Sequence, residues 1–256
     1  MVYGTDIAAA QGRALRSLRS AVGAMDVVIS ISEFTKEQLR NKVPKCPEVH
    51  VLNPGVELDP PRADQQGLRD SLGLGSGPIV LTAARLVERK GHAQFARYWP
   101  SVESAVPGAQ WVVVGDGPCL DELRRLATPS TRILGEVDRP ALMALFAMAD
   151  VNLLPAIPSQ EVEGFGMVIN EAGAAGTPSV TADLGGAAEA MGDGGLLVPG
   201  GDMQAMATAV ADLLSDHARR ALLGERARAR AMELQWDIVV RKFRQMITDG
   251  LGSLRP

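Results

Sequence analysis

The stretch Glu163-Gly164-Phe165-Gly166-Met167-Val168-Ile169-Asn170-Glu171 sets two carboxylates eight positions apart, with a glycine-flanked aromatic between them. Glycines at 164 and 166 let backbone N–H groups come close to a ligand. The helix expected to follow offers an N-terminus, where an anion such as phosphate is favoured. Glu163 belongs to the loop before that helix and Glu171 to its interior. Two separated acceptors around an anion cradle suit a ligand with hydroxyls at both ends and phosphate between them, which describes a nucleotide sugar.

Such a stretch needs elements that deliver it to a cleft, and from Gly77 onward the pattern supplies them. Strand Ile79–Ala83 leads to a helix over His92–Val106, with Phe95, Trp99, Val102 and Val106 as its apolar stripe. Strand Trp111–Val114 precedes helix Leu120–Ala127, strand Arg132–Leu134 precedes helix Pro140–Met148, and strand Val151–Leu154 runs into the two-carboxylate stretch. Short strands at Ser179–Thr181 and Leu196–Val198 follow, then a helix over Met203–Leu214 capped by Asp202. Strands alternating with helices predict an α/β fold, a Rossmann-like parallel sheet with helices on both faces. Ligands of such sheets bind beyond the carboxyl ends of the strands. The loops there hold Arg85, Lys90, Gly115, Gly117, Glu163 and Gly185-Gly186, so these residues are expected to converge on one cleft.

The first 55 residues are less regular. A helix is expected from Ile7 to Val22 with Arg13, Arg16 and Arg19 along one side, then a buried strand at Val27–Ile31. Ser32 is placed to cap a helix over Glu33–Arg40, and a further strand runs from Glu48 to Asn53. Pro54, Pro60 and Pro61 suggest a hinge near 54–63. So few elements cannot close a core of their own. At the other end two helices are expected over Ala218–Leu251, meeting near Gln235-Trp236-Asp237.

Composition bounds the classes. With 256 residues, 46% hydrophobic and 22% charged, the chain reads as globular with ample core. A net charge of −4 gives no support for nucleic-acid binding. No apolar run approaches the roughly 20 residues that span a bilayer, and no secretory signal is visible after Met1. Two cysteines far apart, Cys46 and Cys119, suggest a reducing, cytoplasmic compartment. His50, His92 and His217 form no metal-spaced cluster with them and read as structural or surface residues. Gly115-Asp116-Gly117 lacks the third glycine of a dinucleotide fingerprint, since Leu120 stands in its place.

Together these loops resemble the retaining glycosyltransferases of family 4, whose GT-B fold has two Rossmann-like lobes. The matching residues are Asn53-Pro54-Gly55-Val56-Glu57, Ala84-Arg85-Leu86 through Lys90-Gly91, Val114-Gly115-Asp116-Gly117-Pro118 and Leu134-Gly135-Glu136-Val137. They continue with Glu163 to Glu171, Ala174-Ala175-Gly176-Thr177-Pro178, Gly185-Gly186-Ala187-Ala188-Glu189 and Gly195-Leu196-Leu197-Val198. The stretch around Glu163 is most similar to that of bacterial mannosyl- and glucosyltransferases of lipid and polysaccharide assembly.

The resemblance implies transfer of a hexose, of mannose or glucose type, from a UDP- or GDP-sugar to a glycan or lipid-linked acceptor, with retention of configuration. It implies that Arg85 and Lys90 bind the donor diphosphate without a metal or other cofactor. Glu163 would hold the sugar hydroxyls, with the N–H groups of Gly164, Phe165 and Gly166 beside sugar and phosphate; Glu171 would accept the ribose hydroxyls. Gly115 and Gly117 would line the donor site, and Val137 and Val168 would flank base and ribose, although small apolar residues serve equally well as plain core. By the same resemblance residues 1–55 are a remnant of the acceptor lobe, 56–235 the donor domain and 236–256 a helix that crosses back to the first lobe. Arg13, Arg16 and Arg19 read as a solvated face or, as in lipid-acceptor relatives, as a peripheral contact with acidic head groups at the inner face of a membrane. Two departures stand out. Family members often show His-Gly-x-Glu where this chain reads Tyr3-Gly4-Thr5-Asp6, and by the resemblance most of the acceptor lobe is expected to be missing. Ile238, Val239 and Phe243 are therefore expected to lie exposed. Two other readings remain: a nucleotide-sugar-binding module inactive alone, either truncated or one half of a two-chain enzyme whose missing lobe is in another chain, and a GT-B epimerase, for which no acid–base pair is visible.

Overall fold

The computed structural model describes residues 7, 10–58, 65–160 and 163–253. Its centre is a six-stranded, all-parallel sheet in the order β5-β4-β3-β6-β7-β8. These strands are β3 (Ile79–Ala83), β4 (Gln110–Val114), β5 (Thr131–Gly135), β6 (Val151–Leu154), β7 (Ser179–Asp183) and β8 (Gly195–Pro199). The runs IVLTA and QWVVV are buried at every position, the signature of strands covered on both faces.

One face carries the helices α4 (His92–Ala96), α5 (Trp99–Ala105), α6 (Leu120–Leu126) and α10 (Met203–Ser215). Phe95, Trp99 and Trp111 meet there; Phe95 and Trp111 pack edge to face with centroids 5.3 Å apart. Both buried indole N–H groups are satisfied, Trp111 donating to the Thr82 hydroxyl at 2.9 Å and Trp99 to that of Ser130 at 2.8 Å. The opposite face is covered by α7 (Arg139–Met148) and α8 (Met167–Ala174), whose Met143, Leu145, Phe146 and Ala172 pack on Leu81, Val112 and Val114. Helix α11 (His217–Glu233) lies along α8, where Gly173 admits the Ala227 backbone: a Cβ would stand 2.8 Å from its carbonyl oxygen.

Some elements differ from the sequence expectation. The helix expected over His92–Val106 is two, broken at Arg97-Tyr98. Pro100 has no N–H to donate to Ala96 and its ring crowds that carbonyl, so the chain restarts as a new helix with Pro100 in its first turn. The stripe survives the break, since Phe95, Trp99 and Val102 are all buried. Two short helices, α3 (Gln65–Ser71) and α9 (Ala187–Met191), had no counterpart in the sequence reading. The departure at Tyr3-Gly4-Thr5-Asp6 lies outside the described residues, as does 59–63 of the expected hinge.

The N-terminal segment forms a two-stranded parallel sheet, β1 (Val28–Ser30) with β2 (Val49–Val51), between α1 (Gly12–Gly23) and α2 (Glu33–Lys42). It does bury a small cluster of its own, Ile7, Val22, Val28, Leu39, Val43 and Val49. Two further apolar residues, Ile29 and Leu52, pack on Val239 of the last helix, α12 (Trp236–Ser253). The expectation that Val239 lies exposed is thus corrected: Ile29 of β1 and Leu52 just after β2 cover it. Phe243 is exposed as expected, together with Trp236, Val240 and Ile247. No helix among the described residues is long and apolar enough to cross a membrane.

Candidate functional site

A cavity of about 660 Å³ opens beyond the carboxyl ends of the central strands. It sits where the sheet order reverses, between β3 and β6, the place at which open α/β sheets bind ligands. The loop after β3 brings Arg85, Arg89 and Lys90; the loop after β4 brings Gly115; the loop after β5 brings Glu136 and Val137. From the loop after β6 and the start of α8 come Glu163, Gly164, Phe165, Gly166, Val168 and Glu171. Residues drawn from across the sheet therefore meet around one space.

Gly117 does not line that space. It stands behind the β3 loop, where a Cβ would come 2.5 Å from the Leu86 carbonyl oxygen. Gly115 touches the cavity and is also a packing glycine, since a Cβ there would stand 2.0 Å from the Ala84 carbonyl oxygen. Both loops are tied together by Leu86 N–H to Asp116 C=O at 2.8 Å and Cys119 N–H to Leu86 C=O at 2.9 Å.

The lining includes the cations Arg85, Arg89 and Lys90 and the carboxylates Glu136, Glu163 and Glu171. Arg85 is exposed at the rim and makes no ion pair among the described residues, while Lys90 is largely buried and reaches across to pair with Glu163. Lys90 ends a 3₁₀ turn, Glu88–Lys90, which Gly91 closes in the left-handed region at φ 71°. Gly91 fits tightly as well: a Cβ would stand 1.8 Å from the Pro155 carbonyl oxygen at the end of β6. The lysine is thus aimed by backbone that only glycine tolerates.

The wall opposite is the start of α8. Gly166 precedes it at φ 90°, no side chain caps its first turn, and Gly166, Met167 and Val168 line the cavity. Gly186, from the β7–α9 turn, donates its N–H to the Glu163 carbonyl at 3.0 Å and lies so near that a Cβ would meet the Gly164 carbonyl oxygen at 2.4 Å. The backbone from 163 to 166 therefore turns its groups in directions set by neighbours from other loops. An anion set here would find N–H dipoles on one side and fixed cations on the other.

Sequence reasoning missed Arg139. This residue follows the α7 cap Asp138 and donates to Glu171 at 2.9 Å and to Glu57 at 3.2 Å. Its guanidinium is held even more firmly protonated than usual, first by the hydrogen bond to Glu171. Among the described residues only one Glu171 oxygen is engaged, which leaves the other able to accept from a ligand hydroxyl. A basic residue right after the Gly135-Glu136-Val137 loop was the available signal. Behind Lys90, His92 is buried with neither ring nitrogen hydrogen-bonded, and burial, then the Lys90 charge, lowers its pKa to about 3. It is a neutral packing residue, in keeping with its structural reading. Among the described residues no group of three or more His, Cys, Asp or Glu side chains is arranged to hold a metal ion.

The family model for glycosyl transferases group 1 matches residues 77–216, more than half of the chain. The chain belongs to that family. Among curated relatives of this group 1 chain is the GDP-mannose-dependent α-(1-6)-phosphatidylinositol monomannoside mannosyltransferase of Mycolicibacterium smegmatis, 36% identical over 234 residues, covering 86% of this chain and 61% of the relative. The corresponding enzyme of Corynebacterium glutamicum, described as acting on the monoacylated form, is 32% identical over 88% of this chain and 62% of its own length. The chain thus spans somewhat less than two thirds of the length of these relatives. Among solved structures, sucrose-phosphate synthase from Thermosynechococcus elongatus superposes with a TM-score of 0.80 at 26% identity, over 94% of this chain and 62% of that one. HepE from Anabaena, crystallised with UDP-glucose, superposes with a TM-score of 0.76 at 23% identity over 94% of this chain and 68% of that one, a likeness of fold alone. The six-stranded parallel sheet with its flanking helices is the architecture these glycosyltransferase structures share.

Proposed function

We propose that this chain binds a nucleoside diphosphate hexose in the β3/β6 cavity, and that it forms the donor-binding part of a retaining hexosyltransferase. The observation that carries the reading is the convergence of Arg85, Lys90, Glu163 and Glu171 on one space at the sheet's switch point. GDP-mannose is the first donor to test, because four curated relatives are described as GDP-mannose-dependent. A glycolipid acceptor is the matching expectation, met at the cytoplasmic face of a membrane. Residues 1–55 are read as the end of an acceptor lobe and α12 as the helix that returns to it.

On this reading each group has a defined task. Arg85 and Lys90 face the diphosphate, and their charge offsets the negative charge that grows on the leaving group as the glycosidic bond lengthens. That requires no metal in the role. Glu163 accepts from sugar hydroxyls once the sugar competes for its Lys90 pairing; Glu171 accepts from the ribose with the oxygen that Arg139 leaves free. The N–H groups at the start of α8 receive phosphate oxygens. The transition state is oxocarbenium-like, and the departing phosphate takes the acceptor's proton on the face it leaves, which yields retention without a protein base.

A second reading concerns the chain as it stands, which spans less than two thirds of the length of its curated relatives. It holds the donor but turns nothing over unless an acceptor lobe is supplied by another chain. Incubation with a panel of GDP- and UDP-sugars, followed by mass spectrometry for released nucleotide, separates the two. Release from one donor supports the transferase reading, and binding without release supports the module. Binding of none of the panel defeats both.

A further inference from the structure

We infer that Ser32, in the N-terminal segment, is a positioning residue for the donor cradle: its hydroxyl locks the Gly164–Phe165 peptide so that the carbonyl points away from the cavity. Ser32 lies at the junction of β1 and α2, fully buried, 132 positions from Gly164. Its Oγ stands 2.6 Å from the Gly164 carbonyl oxygen and 2.9 Å from Thr35 Oγ1. A hydroxyl has one proton, and the shorter contact assigns it to the carbonyl. The same oxygen accepts the Thr35 N–H at 3.0 Å, so it is held in place by the helix it caps. Thr35, also fully buried, sets a second hydroxyl 3.4 Å from the same carbonyl.

The neighbouring peptide is held in the same sense from the other side. The Glu163 carbonyl accepts the Gly186 N–H at 3.0 Å. Two consecutive carbonyls at the cavity wall thus have donors that the rest of the fold supplies. In a trans peptide the C=O and the following N–H point in opposite directions. Fixing the Gly164 carbonyl on Ser32 therefore turns the Phe165 N–H the other way. Gly164, flanked by Phe165 and then by Gly166 at φ 90°, offers little steric resistance to rotation of this peptide. Rotation would present a carbonyl oxygen, not an N–H, to an anion in the cavity. The lock removes that alternative, and it does so only while the N-terminal segment stays docked on the sheet domain. Docking is held by Asn53, which donates to Glu189 at 2.7 Å, and by the Glu33 N–H, which donates to the other Glu189 oxygen at 2.8 Å.

The inference rests on the diphosphate reading of the cavity, and the test distinguishes the two. GDP and GMP are titrated calorimetrically into the whole chain carrying Ser32→Ala, Ser32→Thr or Lys90→Ala, with thermal melts of each. The lock predicts that Ser32→Ala weakens GDP about fivefold, the size of one net hydrogen bond, leaves GMP unchanged, and that Ser32→Thr restores GDP. Should Ser32→Ala not fold, Ser32→Cys keeps the volume with a weak donor and is expected to show the same selective loss. Equal weakening of GDP and GMP, or no change in either, overturns the lock provided Lys90→Ala still weakens GDP. If Lys90→Ala leaves GDP unaffected too, it is the diphosphate reading that fails.

Discussion

Lys90 and Glu163 pair directly at the cavity wall, so each is the other's partner there. Truncating one member of a partly buried pair leaves the other charge uncompensated, and hydrogen bonds to charged groups contribute about 1.5–3 kcal/mol. Lys90→Ala is accordingly expected to weaken GDP by at least about tenfold in calorimetric titration. Glu171→Ala should do the same; unchanged affinity in both would remove the site assignment. Arg139→Ala probes the residue that only the structure revealed. It frees the Glu171 carboxylate to move, so a smaller loss, about threefold, is expected for GDP. His92 gives the pH dependence. Its folded pKa of about 3 lies below the ordinary 6.5, so between those values the unfolded chain binds the extra proton. Stability is therefore greatest above 6.5 and falls as pH drops towards 3, by up to about 1.4 kcal/mol per unit. Urea melts at pH 7 and pH 5 should show this loss, and His92→Leu should flatten the difference.

At the scale of elements, the site depends on turns that tolerate no side chain. Gly91 both adopts φ 71° and touches Pro155, so Gly91→Ala must shift the 3₁₀ turn that aims Lys90. A melting temperature lower by several degrees is expected, from about 1–2 kcal/mol of left-handed backbone strain alone, together with weaker GDP binding. Gly117→Ala would also crowd the Leu86 carbonyl, but it lies off the cavity and should lower stability more than affinity. Much of this level was legible beforehand. The β/α alternation and the buried runs of β3 and β4 are local patterns, and Asp202 and Ser32 cap the helices the pattern assigned them. The break between α4 and α5 had a readable cause in Pro100; an unbroken apolar stripe concealed it, because burial of Phe95, Trp99 and Val102 outlasts the change of axis. The five residues of α9 offer too short a period to be read at all.

At the scale of the molecule, α12 joins the last residues to the first strands. Val56 donates its N–H to the Leu234 carbonyl at 2.8 Å, and Gly55 lies flat against Trp236, whose ring a Cβ would meet at 2.4 Å. Val239 is the buried contact on β1 and β2, so Val239→Ala is expected to lower stability by about 1–2 kcal/mol, measured by urea melts, without touching the cavity. By itself the sequence determined the sheet class and which loops, Glu163 and Glu171 among their residues, come together at the cavity, since periodicity and eight-residue spacing act over short reaches of chain. The tertiary structure alone decided that Gly117 backs the β3 loop while Gly115 lines the cavity, that Arg139 grips Glu171, and that Ser32 holds Gly164. These contacts join residues separated by tens to more than a hundred positions, and only the packing of strands and helices brings them within a hydrogen bond of each other.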